Sequence, residues 1–174
     1  MINKREEYLN WDSFFMALAF ISSQRSKDPN TQVGCSIVDN NNIVLSLGYN
    51  GLPRGCNDDE YPWSRDGENE LNKKYYYIVH SEENAILNAK GKDLSNSKIY
   101  VMYFPCNECT KSIIQSGIKE IIYYYPYDYG NHKPEVEASK RMLDSSGVKY
   151  SQYQKNGEFL TLEYKNKSIK KIEL

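Results

Sequence analysis

Long hydrophobic runs are missing from this sequence. No apolar stretch in its 174 residues approaches the roughly 18 that a membrane helix needs. The first residues, MINKREEYLNWD, have no apolar core behind their charges and so lack the pattern of a secretory signal. A surplus of either charge is missing too: 22 Lys and Arg face 23 Asp and Glu, a net charge of −1. That balance argues against nucleic-acid or membrane partners, which usually announce themselves by a basic excess. Cysteine is scarce, with four residues, far below the density of a disulfide scaffold. These absences predict a cytoplasmic protein, in which paired cysteines are more often ligands or catalysts than bridges.

Internal repeats and Pro-rich or Ser-rich linkers are also absent. Length favours one domain, and a chain of this size buries roughly 70% of its unfolded surface without staples. The expectation is a single domain over residues 1–174, with a core at about 11–153 and a C-terminal extension at 154–174.

What is present is a clear alternation of elements. Trp11, Phe14, Phe15, Leu18, Ile21 and Ser22 fall on helical spacing, which predicts a helix over residues 10–24 with Asn10 as its N-cap. Pro29 closes that pattern. Strands are predicted over 33–38 and 43–47, joined by the turn residues Asp39, Asn40, Asn41 and Asn42. A polar stretch over 51–77 is too long for an ordinary connection; such loops are usually functional or disordered. Helices follow at 80–90, 107–116 and 135–145, each ending near a glycine (Gly91, Gly117, Gly147), with Ala85, Ile86 and Ala89 as the buried stripe of the first. Between and after them lie strands at 98–104, 120–125 and 148–153. This order implies an α/β sandwich with parallel strand pairs. Asn156-Gly157 is a hairpin signal leading into one more antiparallel strand at 158–164. The tail NKSIKKIEL reads as a short basic solvated end.

Two motifs carry chemistry. His80-Ser81-Glu82 opens a helix, and Pro105-Cys106-Asn107-Glu108-Cys109 takes a strand into a helix. Alone, a Cys-x-x-Cys is ambiguous among redox pair, structural zinc and catalytic zinc, and a lone His is more often structural than a ligand. Together, His-x-Glu and Pro-Cys-x-x-Cys form the zinc deaminase signature. His80, Cys106 and Cys109 would supply three zinc ligands, leaving a fourth position for water. Cys106 and Cys109 stand three apart at a helix start, where side chains share a face and the helix N-terminus favours thiolate. Glu82 is then the proton carrier; the neighbouring Glu83 points elsewhere on the helix and reads as a solvated face. A structural zinc would need a fourth ligand from His132, Cys35 or Cys56, none in a paired spacing. A thiol–disulfide enzyme would need neither His80 nor Glu82.

The chain resembles the zinc-dependent cytidine/deoxycytidylate deaminase family, in its deoxycytidylate branch. The resemblance spans most of the chain, in RSKDPNTQVGCSIV, GYNGLPRGCNDD, YPWSRDGENELNKKY, HSEENAI and FPCNECTKSIIQSGIKEIIY. It implies a three-layer α/β/α sandwich around a mixed five-stranded sheet, to which the hairpin signal at Asn156-Gly157 would add a strand at the C-terminus. It also implies hydrolysis of dCMP to dUMP and ammonia, which supplies dUMP for thymidylate synthesis, with one zinc ion on His80, Cys106 and Cys109 and Glu82 as acid/base. Asn50 matches a family asparagine that meets the sugar hydroxyl. Ser81 stands where the family typically has Ala, beside the metal and near the base. Members of this branch are often hexamers, activated by dCTP and inhibited by dTTP with Mg2+. Gly48, Tyr49, Gly51, Arg54, Asp58 and Asp59 fall in the segment that holds such effectors.

Other readings make different demands. A tRNA- or RNA-base deaminase would carry a basic face with aromatics, which a net charge of −1 does not suggest. A dCTP sensor without activity would have lost Glu82 or a ligand. A free cytidine deaminase would need no phosphate site. Here Arg25 and Lys27 flank Ser26 in the loop before the first strand, and two cations with a hydroxyl can grip a terminal phosphate.

Overall fold

Asn10 accepts a hydrogen bond from the Ser13 amide (2.8 Å) and starts the first helix, α1 (Trp11–Ser23). In this computed structural model, which describes residues 2–126, 133–164 and 167–174, strands β1 (Gly34–Val38) and β2 (Val44–Tyr49) follow as an antiparallel pair. The chain then makes its long excursion and returns in α2 (Ser81–Asn88), β3 (Lys98–Tyr103), α3 (Asn107–Gln115), β4 (Glu120–Tyr125), α4 (Lys133–Ser146) and β5 (Lys149–Gln152). These five strands form one sheet in the order β2-β1-β3-β4-β5. β3 runs antiparallel to β1 and parallel to β4, and β4 runs parallel to β5, so the sheet is mixed.

Both faces of the sheet are covered. On one side, Ile37, Ile99, Val101 and Ile121 pack with Ala85 of α2, Ile113 of α3 and Leu143 of α4. On the other, Tyr100, Met102, Ile122 and Tyr124 pack with Phe15, Met16 and Phe20 of α1. Helical spacing located α1 but did not select its buried face. Trp11 and Ile21 remain more than half exposed, while Ser13, Ala19 and Ser23 face the sheet. Small residues are required there because α1 lies close against β1. A Cβ on Gly34 would stand 2.1 Å from the Ala19 carbonyl oxygen. Gly48 plays the same part on β2: a Cβ there would stand 2.1 Å from the Ser81 carbonyl oxygen and 2.6 Å from the Ala85 nitrogen. Seating α2 directly on β2 fixes the first turn of α2 at the carboxyl end of the strand.

The C-terminus departs from the expectation of a solvated end. β6 (Phe159–Tyr164) pairs with β7 (Lys167–Glu173) in a separate antiparallel hairpin, not with β5. The cause is apolar. Ile172 and Leu174 are 2% and 1% exposed and join the cluster that holds Phe20 and Tyr124. The Tyr124 hydroxyl also donates to the Glu173 carbonyl (2.6 Å). Two buried side chains outweigh the solubility of Lys170 and Lys171 just before them. Among the described residues, no helix is long and apolar enough to cross a membrane.

Candidate active site

Two helix starts meet at one point. His80 is the N-cap of α2, in extended backbone, and Cys106 is the N-cap of α3. The first turn of α3 brings Cys109 back beside Cys106, whose Sγ accepts the Cys109 amide (3.5 Å). The ligand atoms of His80, Cys106 and Cys109 all lie within 4.8 Å of one another. His80 Nδ1 is 3.5 Å from Cys106 Sγ and 3.4 Å from Cys109 Sγ. Tetrahedral zinc, with sulfur at about 2.3 Å and nitrogen at about 2.0–2.1 Å, sets those atoms about 3.5 Å apart. The donor set therefore fits zinc in both chemistry and spacing. Three protein ligands are the pattern of a catalytic site, which keeps one position open.

The protons of the triad are tightly shared. The hydrogen bond with Cys109, and then the pairing with His80, hold the Cys106 thiol down at about 4 against the effect of burial. His80 is raised to about 9, first by Cys106, and burial opposes that rise. Cys109 is pushed up by its hydrogen bond to Cys106 and by burial. A thiolate facing an imidazolium is the proton arrangement that a divalent cation replaces when it binds.

Glu82 lies in the first turn of α2, 6% exposed. Burial is the largest influence on its carboxyl and raises it; His80 pulls the other way. The Ser81 hydroxyl, fully buried, donates to Glu82 Oε2 (2.8 Å). Ser81 thus holds the carboxylate, and it also lines the cavity beside it. Cys35 is buried, with its thiol on the Ser81 carbonyl (3.1 Å), and serves packing. His132 lies outside the described residues.

His80, Ser81, Glu82 and Cys106 form the floor of a cavity of about 360 Å³. Small-molecule sites begin at about that size. Tyr103 and Phe104, at the end of β3, give it apolar surface. The opposite wall comes from the loop before β1 and from the long excursion after β2. Asp28 organises that wall. Its Oδ1 accepts the amides of Asn30 (2.8 Å) and Thr31 (3.2 Å), and its Oδ2 accepts Lys74 Nζ. Burial alone would raise the Asp28 carboxyl, but Lys74 and the two amides outweigh it and hold the group below its ordinary range. Asn50 also lines the cavity. Its Oδ1 accepts the Val33 amide (2.8 Å) and its Nδ2 donates to the Thr31 carbonyl (2.9 Å), so both ends of the amide tie the loop to β2.

The excursion is ordered by such ties. Gly51 and Val79 bridge its two ends, and two short 3₁₀ turns, Glu70–Asn72 and Lys74–Tyr76, fold its second half. Arg25, Ser26 and Lys27 do not line the cavity. Lys27 pairs with Asp58 on the surface, and the Ser26 hydroxyl accepts the Asp28 amide (3.3 Å). The cations on the cavity wall are Arg65 and Lys74. Sequence reasoning missed both, with Asp28 and Thr31. The available signal was the length of the 51–77 stretch, which marked the loop as functional without choosing residues within it. In the proposed effector segment, Gly48 is covered by α2, Tyr49 receives Asn84 on its carbonyl (2.7 Å), and Arg54 and Asp59 are exposed.

Comparison with known proteins agrees with this geometry. Residues 9–125 match the family described as the cytidine and deoxycytidylate deaminase zinc-binding region. The chain is 47% identical to the deoxycytidylate deaminase of Homo sapiens over 150 residues, 86% of this chain and 83% of that one. It is 47% identical to the deoxycytidylate deaminase of Mus musculus over the same shares. The dCMP deaminase of cyanophage S-TIM5, solved in complex with dCMP and dUMP, superposes with a TM-score of 0.63 at 25% identity, covering 80% of this chain and 94% of that one. With the signature in place and two thirds of its length matched, the chain belongs to the zinc-binding cytidine and deoxycytidylate deaminases.

Proposed function

We propose that this protein hydrolyses dCMP to dUMP and ammonia within a single catalytic domain. The observation that carries the reading is the buried Glu82 carboxyl beside the His80/Cys106/Cys109 triad at the floor of a nucleotide-sized cavity. The identity to deoxycytidylate deaminases in both mammals supports dCMP over other cytosine compounds. A zinc ion held by His80, Cys106 and Cys109 would supply Lewis acidity, which lowers the pKa of a bound water to about 7.

The chain's own residues then manage protons and position. Water adds to C4 of the cytosine ring. Glu82 takes one of its protons and delivers it to ring N3, then passes the remaining hydroxyl proton to the departing amine. The C4–N bond breaks, ammonia leaves, and C4 keeps a carbonyl. Burial raises the Glu82 carboxyl, the direction that favours a group which must give its proton back as well as take it. Ser81 holds Glu82 Oε2, which leaves the other carboxylate oxygen for the relay. Asn50 lines the cavity and its Oδ1, which accepts one amide, has a second lone pair, which supports its reading as the residue that meets the sugar hydroxyl.

The same proposal includes assembly and control. The family resemblance supports a homo-oligomer, with a hexamer as the first candidate, activated by dCTP and inhibited by dTTP with Mg2+. Arg54, Asp58 and Asp59 are the members of the effector segment that the fold leaves on the loop surface. Ammonia release assayed side by side with dCMP, CMP, deoxycytidine and dCTP tests the substrate. dCMP is expected to be preferred by at least tenfold. Equal turnover of deoxycytidine and dCMP would contradict the reading.

A further inference from the structure

We infer that Arg65 is the residue that reads the 5′-phosphate of the substrate, with Thr31 as its anchor; this rests on the dCMP reading above. Among the described residues the cavity wall carries the cations Arg65 and Lys74, and their surroundings differ. Lys74 is 5% exposed and already neutralised by the buried Asp28 carboxylate. Drawing Lys74 toward a phosphate would leave Asp28 buried without its cation, a strongly unfavourable exchange. Arg65 has no carboxylate partner among the described residues. Its hydrogen bond goes from Nη2 to Thr31 Oγ1 and joins two loops whose residues both line the cavity. A guanidinium has five N–H donors, so four remain, in the planar fork that suits two phosphate oxygens at once.

Both ends of this arrangement are fixed in advance. Thr31 is held through its backbone: its amide donates to Asp28 and its carbonyl accepts Asn50 Nδ2. Arg65 sits between two restrained neighbours. The Ser64 carbonyl accepts the Lys74 amide (2.9 Å), and the Ser64 hydroxyl both donates to the Asp66 carbonyl (2.7 Å) and accepts the Asp66 amide (3.1 Å). One residue earlier, the Trp63 carbonyl accepts Asn30 Nδ2 (3.1 Å). The guanidinium is therefore presented by a tied loop, and little ordering is left for the moment of binding. Thr31 accepts from Arg65 and keeps its own hydroxyl hydrogen to donate to a third phosphate oxygen. Arg25 and Lys27 lie outside the cavity, and Lys27 is engaged with Asp58.

The test uses zinc-loaded protein and two substrates that differ only in the phosphate. Arg65→Ala is expected to lower kcat/KM for dCMP by roughly 10- to 150-fold, the worth of one charged hydrogen-bonded contact. The loss for deoxycytidine is expected to be under about threefold, and Arg65→Lys to recover part of the dCMP loss by charge without the fork. Melting temperature and zinc content check that each variant is intact. Equal losses for both substrates overturn the inference and make Arg65 a support of the loop. An undiminished dCMP rate overturns it as well; a selective dCMP loss in Arg25→Ala or Lys27→Ala would then place the phosphate before β1. Wild-type protein releasing ammonia from neither substrate overturns the functional reading itself, a result distinct from both.

Discussion

Asp28 and Lys74 form a buried ion pair, with side chains 1% and 7% exposed, that ties the loop before β1 to the end of the long excursion. Removing one partner of such a pair typically costs 3–5 kcal/mol, because the other is left buried and unpaired. The two removals are not equivalent here. In Lys74→Met, the Asp28 carboxylate keeps the amides of Asn30 and Thr31, with Asn50 Nδ2 at 3.4 Å, so the low end, about 3 kcal/mol, is expected. In Asp28→Asn, the Lys74 ammonium keeps, among the described residues, the Tyr75 ring 5.9 Å away, and the new amide sets two N–H donors toward it, so about 5 kcal/mol is expected. For a chain of this length each kcal/mol moves Tm by about 2–4 °C, so the variants should melt roughly 6–20 °C lower. Urea unfolding followed by circular dichroism measures the same difference. The double variant should cost less than the sum of the singles by about 0.5–3 kcal/mol. The pH dependence has a definite sign. Asp28 is held below its ordinary 3.8 in the fold, so its contribution is complete above that range and disappears as pH falls through the depressed value. The gap between wild type and Asp28→Asn should therefore close in acid. A cost under 1 kcal/mol for Asp28→Asn at neutral pH, or strict additivity in the double variant, would refute the account of this wall.

Two other outcomes are expected. Ile172→Ala should destabilise the fold by about 2–5 kcal/mol in urea, since Ile172 is 2% exposed in the α1-side cluster; a change under about 0.5 kcal/mol would make the tail a solvated end after all. Sedimentation should find a closed homo-oligomer, with and without dCTP, and only the 20.3 kDa chain in both conditions would contradict the proposed assembly.

How far the sequence could be read varied with the range of the interactions. Short-range signals translated well. The Asn10 cap, the strand–helix alternation and the spacing that joins His80, Glu82, Cys106 and Cys109 each depend on residues a few positions apart, or on two helix starts that follow β2 and β3, strands that run the same way on either side of β1. Long-range pairs did not translate. Asp28 meets Lys74 across 46 positions and Arg65 meets Thr31 across 34, and no periodicity marks either. The loop from 25 to 27 looked suited to a phosphate because it is cationic, yet it turns outward where Lys27 finds Asp58. The basic tail misled for the opposite reason. Its lysines dominate the composition, while Ile172 and Leu174 decide its place. On α1, Trp11 and Phe14 share helical spacing with Phe15, but the close approach of Gly34 to Ala19 selects the small-residue face for the sheet.

The central claim is that Glu82 moves protons for dCMP deamination beside a His80/Cys106/Cys109 zinc. The most direct measurement compares ammonia release from dCMP by wild type and Glu82→Gln, each shown by elemental analysis to hold one zinc per chain. Glu82→Gln keeps the shape and removes the relay, so the rate should fall by at least 10²- to 10⁴-fold with zinc unchanged. A zinc-loaded variant that keeps more than about a tenth of wild-type turnover, or active wild type free of zinc, would contradict the account.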